Sequence, residues 1–164
     1  MQPLTFIYIS ISRQRLLLQS QNSVKEYVIS TGIKSPGNIK DSFGTPLGWH
    51  EICEKYGDGA PAGNVFIGRV SQEKHFTQIE DWHQRNYVVT RILRMRGLED
   101  GFNSGITNEG LCCDTFLRYV YIHGTCHEHA LGAPSGCGCI VLSSDDVIEL
   151  HSQTPLGTKV LICE

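Results

Sequence analysis

Apolar residues recur at every second position along much of this chain, and the runs they form are short. "TFIYISISRQRLLL" and "SVKEYVIS" alternate apolar with polar residues on either side of a turn at Gln21-Asn22, so the first thirty residues read as a hairpin. A period of two puts successive side chains on opposite faces of an extended strand, one buried and one wet. "GNVFIGRV" and "YVVTRILRM" are dense in β-branched and large apolar residues, which suit a pleated surface. "FLRYVYIH" (116–123) reads as a further strand, with Leu117, Tyr119, Tyr121 and His123 on one face. "TKVLICE" closes the chain as another.

Between these runs, "TGIKSPGN", "FGTPLG" and the stretch from Gly57 to Gly63 carry the glycines and prolines of loops. One segment breaks the pattern. "SSDDVIELHSQ" offers serine N-caps and two aspartates where a helix dipole favours negative charge, and it predicts a helix. The expected fold is mainly β, a twisted sandwich or partly closed barrel with one or two short helices. A chain of 164 residues fits one domain, 1–164.

Composition narrows the partners. A formal net charge of −3 gives no basic surface for nucleic acid. The short cluster Arg91, Arg94 and Arg96 reads as a solvated face. No apolar run approaches the roughly 18–20 residues of a membrane span. "MQPLTFIYIS" lacks a basic start, a long apolar stretch and a small-residue cleavage site, so no signal peptide is expected. Seven cysteines, an odd number, leave at least one unpaired within a monomer. Nothing in the spacing assigns a role to Cys112, Cys113 or Cys126.

The chemistry concentrates in "HGTCHEHALGAPSGCGC" (123–139), with three histidines, three cysteines and four glycines in seventeen positions. Three readings compete. A metal site drawn from His123, Cys126, Cys137 and Cys139 lacks the usual spacing, because Cys137-x-Cys139 and His127-x-His129 are both too tight. A purely structural reading makes His123 a filler at a strand end and the cysteines small hydrophobes. It leaves the glycines around Cys139 unexplained, since glycine there implies close approach of backbone. The third reading is a cysteine nucleophile. Gly136-Cys137-Gly138-Cys139 can turn successive N–H groups to one side, and His123 can serve as base.

"YVYIHGT" followed by "GAPSGCGCIVLSSDDVIELHSQTPLGTKVLI" resembles the catalytic core of the L,D-transpeptidases, the YkuD domain. "IYISISRQRLLL" with "VKEYVISTG" resembles that family's opening hairpin, and "FGTPLGWHEI" its Thr-Pro-x-Gly stretch. The resemblance implies that Cys139 is the nucleophile, His123 the catalytic histidine and Gly124 the residue whose carbonyl orients the imidazole. It implies an oxyanion hole from the N–H groups of Gly138, Cys139 and Cys137. The family's serine, second histidine and arginine fall on Gly136, Cys137 and Val141.

The activity implied is acyl transfer on peptidoglycan stem peptides. An acyl-enzyme would form on Cys139, D-alanine would leave, and the acyl group would pass to an amine. Carbapenem-type β-lactams would acylate the same sulfur. No metal or other cofactor is implied, and the protein would be a monomer acting in the cell envelope. An L,D-carboxypeptidase or amidase using water, and a degenerate peptidoglycan-binding domain, are the alternatives.

Overall fold

The computed structural model describes residues 5–164, so the first four residues of the stretch searched for a signal peptide lie outside the described residues. Ten strands form one curled sheet, a half-barrel with a single α-helix. The expected mainly β architecture is what folds.

β1 (Phe6–Ser10), β2 (Arg15–Ser20) and β3 (Ser23–Val28) make an antiparallel meander. The turn at residues 21–22 stands where the sequence predicts it, but the alternation hides another at 11–14. There Gln14 takes a left-handed φ of 52°, and its side-chain amide donates to the Ile11 carbonyl and Thr31 Oγ1, each at 2.7 Å. β10 (Lys159–Cys163) lies parallel to β1, and β4 (Gly48–Tyr56) lies antiparallel to β10. Ile7, Ile9, Val160 and Ile162 thereby enter one core.

β7 (Val88–Gly97) organises the other half. One edge pairs with β8 (Tyr121–Thr125). The other edge is shared, with β5 (Asn64–Ile67) on Val88–Val89 and β4 from Ile92 onward. The register with β8 slips between Val89 and Ile92, where Thr90 adopts φ 72°. Bulges of this kind re-aim the neighbouring side chains. β5 returns through a tight turn into β6 (Val70–His75), so "GNVFIGRV" is the top of a hairpin rather than one strand.

β7 is buried on both faces for most of its length, which corrects the solvated reading of its arginines. Arg91 and Arg94 are buried. Arg91 donates to the carbonyls of Ala60 (2.7 Å) and Thr90 (2.6 Å). Arg94 bonds Glu54 at 2.9 Å and the Phe116 carbonyl at 3.0 Å, and it stacks 3.4 Å from the Phe116 ring centre. Guanidinium is the cation that such sites accept, because its fork can be satisfied by fixed acceptors. Only Arg96 of the three stays outside, paired with Glu51.

The predicted helix is α1 (Ser144–Gln153), capped by Ser143, whose hydroxyl accepts from the Asp146 N–H at 3.1 Å. It buries Val147, Leu150 and His151 at helical spacing, packing against β7 and β8. The short strand β9 (Ile140–Leu142) precedes it, parallel to β8. "FLRYVYIH" departs from its reading: only Tyr121 onward is strand. Asp114 holds the rest in turns, accepting the Leu117 N–H on Oδ1 and the Arg118 N–H on its carbonyl, both at 2.9 Å. Tyr119 follows at φ 56°.

Buried histidines tie the fold to pH, His50 and His151 among them. Burial pushes His50 down to about 4, and His151 to about 4 with help from the Lys55 and Arg91 charges. His50 donates through Nδ1 to the Gly48 carbonyl and accepts at Nε2 from the Thr115 hydroxyl, each at 3.0 Å. Both rings are neutral in the fold and titrate near 6.5 once unfolded. Their stabilisation is therefore fully present above about pH 6.5 and is lost as pH falls toward about 4. Thermal unfolding followed from about pH 7 down to about pH 4.5 should show a steadily falling Tm. A flat profile across that window would show that the imidazoles are not held neutral.

Candidate active site

β8 carries His123 at its centre, buried, in register with Val141 of β9. Its Nδ1 lies 2.7 Å from the Gly124 carbonyl. A carbonyl only accepts, so Nδ1 carries the proton and Nε2 keeps its lone pair. Burial pushes this imidazole down to about 4, with the Gly124 carbonyl pulling the other way. The ring is neutral at physiological pH. Gly124 is glycine for want of space, since a Cβ there would meet the Val89 carbonyl at 2.6 Å and Val147 of α1 at 3.2 Å.

Cys139 stands just ahead of β9. Its sulfur accepts from the Tyr121 N–H at 3.3 Å and points its own hydrogen toward the Tyr119 carbonyl at 3.8 Å. No hydrogen bond joins it to His123 in this arrangement. The side chain packs against the buried cluster of Phe66, Ile92 and Tyr121. Burial pushes the thiol up to about 11, and Cys137 adds to the rise, while the Tyr121 N–H and the Arg118 charge work against it. Thiol and imidazole are thus both uncharged at rest.

The loop before Cys139 is locked by backbone contact. Gly136 bonds across to the 31–33 segment, donating to the Thr31 carbonyl at 3.1 Å and accepting from the Ile33 N–H at 2.9 Å. Gly138 takes φ +106°, and a Cβ on it would fall 2.9 Å from the Gly44 carbonyl. A Cβ on Gly32 would fall 2.9 Å from the Gly138 nitrogen. Three stretches distant in sequence therefore meet with no room for a side chain. Among the described residues, the N–H groups of Cys137, Gly138 and Cys139 donate to no protein acceptor outside the strand ladders. Cys137 itself is exposed.

Two cavities lie against this loop, and Cys137 and Cys139 line both. The first, about 430 Å³, is walled by His123, His127, Val141, Gly136, Gln84 and Asn86. The second, about 290 Å³, is walled by Lys40, Asp41, Phe43, Arg118 and Tyr119. A larger cavity of about 660 Å³ between the 56–64 loop and the β5–β6 hairpin holds none of the predicted site residues. His127 lines the first cavity with its Nε2 bonded to the Trp82 carbonyl at 2.8 Å, and His129 lines neither cavity. Cys126 packs away from the cavity in a cluster with Val65 and Val89. All seven cysteines are free thiols.

Sequence reasoning missed the 82–86 segment. Asn86 accepts from the Thr125 hydroxyl at 2.7 Å, and Gln84 joins it over the first cavity. Nothing in the local pattern of "DWHQRN" marks it as part of a site.

The family model for the L,D-transpeptidase catalytic domain, YkuD, matches residues 4–162. The chain belongs to this family. Across 47 residues it is 40% identical to the Bacillus subtilis (strain 168) protein YqjB, provisionally named an L,D-transpeptidase; the match covers 29% of this chain and 27% of that protein. Its fold is similar to that of L,D-transpeptidase 3 from Mycobacterium tuberculosis, solved with a faropenem-derived adduct. That likeness has a TM-score of 0.59 at 16% identity and covers 99% of this chain and 61% of the other. An L,D-transpeptidase from Mycobacterium smegmatis gives a TM-score of 0.54 at 16% identity, covering 99% and 59%. This YkuD chain thus spans about six-tenths of the structural relatives' length.

The glycine contact yields a direct test. Gly138→Ala forces a side chain into a left-handed conformation and against a carbonyl, at a cost of about 1–3 kcal/mol. The expected result is a lowered denaturation midpoint together with altered reactivity of Cys139 toward thiol reagents. A variant as stable and as reactive as the parent would show that the loop has slack.

Proposed function

We propose that this protein is a cysteine acyltransferase acting on peptidoglycan stem peptides as an L,D-transpeptidase. The observation that carries the reading is that His123, its tautomer fixed by the Gly124 carbonyl, lines the same cavity as Cys139. A base poised with a free Nε2 needs only a thiol turned toward it, and catalytic contacts are often loose before substrate binds. Family membership supports the reaction class, and the faropenem-derived adduct on the M. tuberculosis relative supports a β-lactam probe.

In the proposed reaction Cys139 leaves its contact with the Tyr121 N–H and passes its proton to His123 Nε2. The thiolate attacks the amide carbon between the stem's third residue and its terminal D-alanine. Carbonyl oxygen becomes an oxyanion held by the N–H groups of Cys137, Gly138 and Cys139. Collapse breaks the C–N bond, and His123 returns the proton to the departing D-alanine. An amine from a second stem then attacks the thioester, loses a proton to His123 and releases Cys139. A positioned base contributes about 10²–10⁴-fold and an oxyanion donor about 10²–10³-fold.

The two cavities give this scheme somewhere to put both peptides, since Cys137 and Cys139 line each of them. Neutral resting partners suit it as well. An ion pair here would have to be held in a buried setting, whereas the proton transfer can be drawn by attack on the carbonyl.

Intact mass after treatment with a carbapenem tests the reading. The parent should gain one adduct, Cys139→Ala none, and His123→Ala should acylate at least about 10²-fold more slowly. Release of D-alanine from a tetrapeptide stem, with and without an added amine, then separates transfer from hydrolysis. Products formed only by water would make the protein an L,D-carboxypeptidase. Failure of the parent to acylate or to release D-alanine would remove the enzyme reading.

A further inference from the structure

The segment 136–141, Gly-Cys-Gly-Cys-Ile-Val, carries no positive charge of its own, yet its cysteine sits where a thiolate would be costly. The charge beside it comes from elsewhere. Arg118, half-buried on the 114–120 turn, lines the 290 Å³ cavity together with Cys137 and Cys139. Its guanidinium does not reach the sulfur as a hydrogen-bond donor. Instead Nη1 donates to the Gly37 carbonyl at 2.9 Å, and Nη2 to the Gly44 carbonyl at 2.8 Å and Ser42 Oγ at 3.3 Å. Three acceptors on one loop use the fork of a guanidinium as a clamp.

Gly44 O is the decisive acceptor. It is the atom that a Cβ on Gly138 would strike at 2.9 Å. The carbonyl that sets the position of the residue before Cys139 is therefore itself held by Arg118. Burial pulls the Arg118 guanidinium below its ordinary value, while Cys139, Cys112, Asp41 and Cys113 push it back up. A cation so placed acts through little water, and its field at a neighbouring sulfur is weakly screened.

We propose that Arg118 is the positioning residue of this site, clamping the 37–44 loop onto Gly138 and supplying the positive charge beside the Cys139 sulfur. The proposal rests on the reading of Cys139 as a nucleophile. Other groups line the cavities with Cys139: Lys40 and Asp41 from the clamped loop, Cys137 from its own segment, Tyr119 from the turn and His123 from β8, while Tyr121 of β8 donates its N–H to the sulfur. Lys40 and Asp41 are of opposite sign and adjacent in the chain, so their fields partly cancel. The Arg118 charge pulls the thiol downward, a smaller influence than burial, the Tyr121 N–H or Cys137.

The test separates clamp from charge. The rate of Cys139 alkylation by iodoacetamide, read by peptide mass at pH values below the thiol midpoint, reports how that midpoint moves without requiring any acyl transfer. Arg118→Gln should raise that midpoint and so lower the thiolate fraction, slowing alkylation at neutral pH at least about threefold. Arg118→Lys keeps the charge but not the fork. Its midpoint should stay near the parent's while acylation by a carbapenem falls at least about tenfold.

An unmoved midpoint in Arg118→Gln, or parental acylation in Arg118→Lys, overturns the proposal. Should Arg118→Gln not fold, Arg118→Lys carries the test alone on the same two readings. A parent protein whose Cys139 midpoint depends on Arg118 but which never acylates would defeat the proposed function and leave the role of Arg118 standing.

Discussion

A strand has two edges, and β7 must satisfy three partners. It does so by giving β8 one edge and dividing the other between β5 and β4, with the change of partner falling at the Thr90 irregularity. The rest of the molecule depends on this division. The bulge re-aims β8, and β8 places His123 opposite Ile92 rather than in simple sequence with Val89. Thr90 also anchors the junction, because its hydroxyl takes the Gly63 N–H at 2.9 Å and bonds Ser144 at the head of α1 at 2.7 Å. One residue in an unfavourable conformation thus joins the 57–63 loop, the central strand and the helix. Such strain persists only where several surrounding contacts over-determine it.

The electrostatic character of the site follows from its depth. His123 and Cys139 are both pushed by burial toward their uncharged forms, the imidazole down and the thiol up. A buried ion pair costs more to desolvate than its attraction returns unless every remaining group is satisfied. The folded chain instead holds a neutral pair, with the sulfur turned toward the backbone of Tyr119 and Tyr121. In the proposed reaction, charge is called up only when a substrate carbonyl is there to receive it.

What was legible in the sequence is what local physics decides. β7 and β10 announce themselves by β-branched density, and α1 by serine and aspartate at its head, since caps and pleats are satisfied within a few residues. "FLRYVYIH" misled because its apolar content suits a strand while Asp114, just upstream, spends its side chain and carbonyl on a turn. The arginines of β7 misled for the opposite reason. Charge usually signals water, and only tertiary structure could show that Glu54, Ala60 and Phe116 would be waiting for them. In the 123–139 stretch the residue types were legible and their placement along one cavity was not. Gln84 and Asn86 line the first cavity and Arg118 the second, each arriving from a segment whose own pattern says nothing about it.

The meeting of Gly32, Gly44 and Gly138 also bears on how this chain can vary over generations. In each case the atoms that exclude a side chain are largely backbone: the Gly138 nitrogen and Phe43 oxygen for Gly32, the Ser35 oxygen and Gly37 nitrogen for Gly44, and the Gly44 oxygen for Gly138. A crowded side chain can be relieved by trimming its neighbour, but a peptide group is the same whatever residue bears it. No compensating substitution at the partner position opens the space. Lineages descended from this sequence can drift freely on the exposed face of β3, yet at these three positions there is no neighbouring genotype to step to unless the loops themselves are rebuilt.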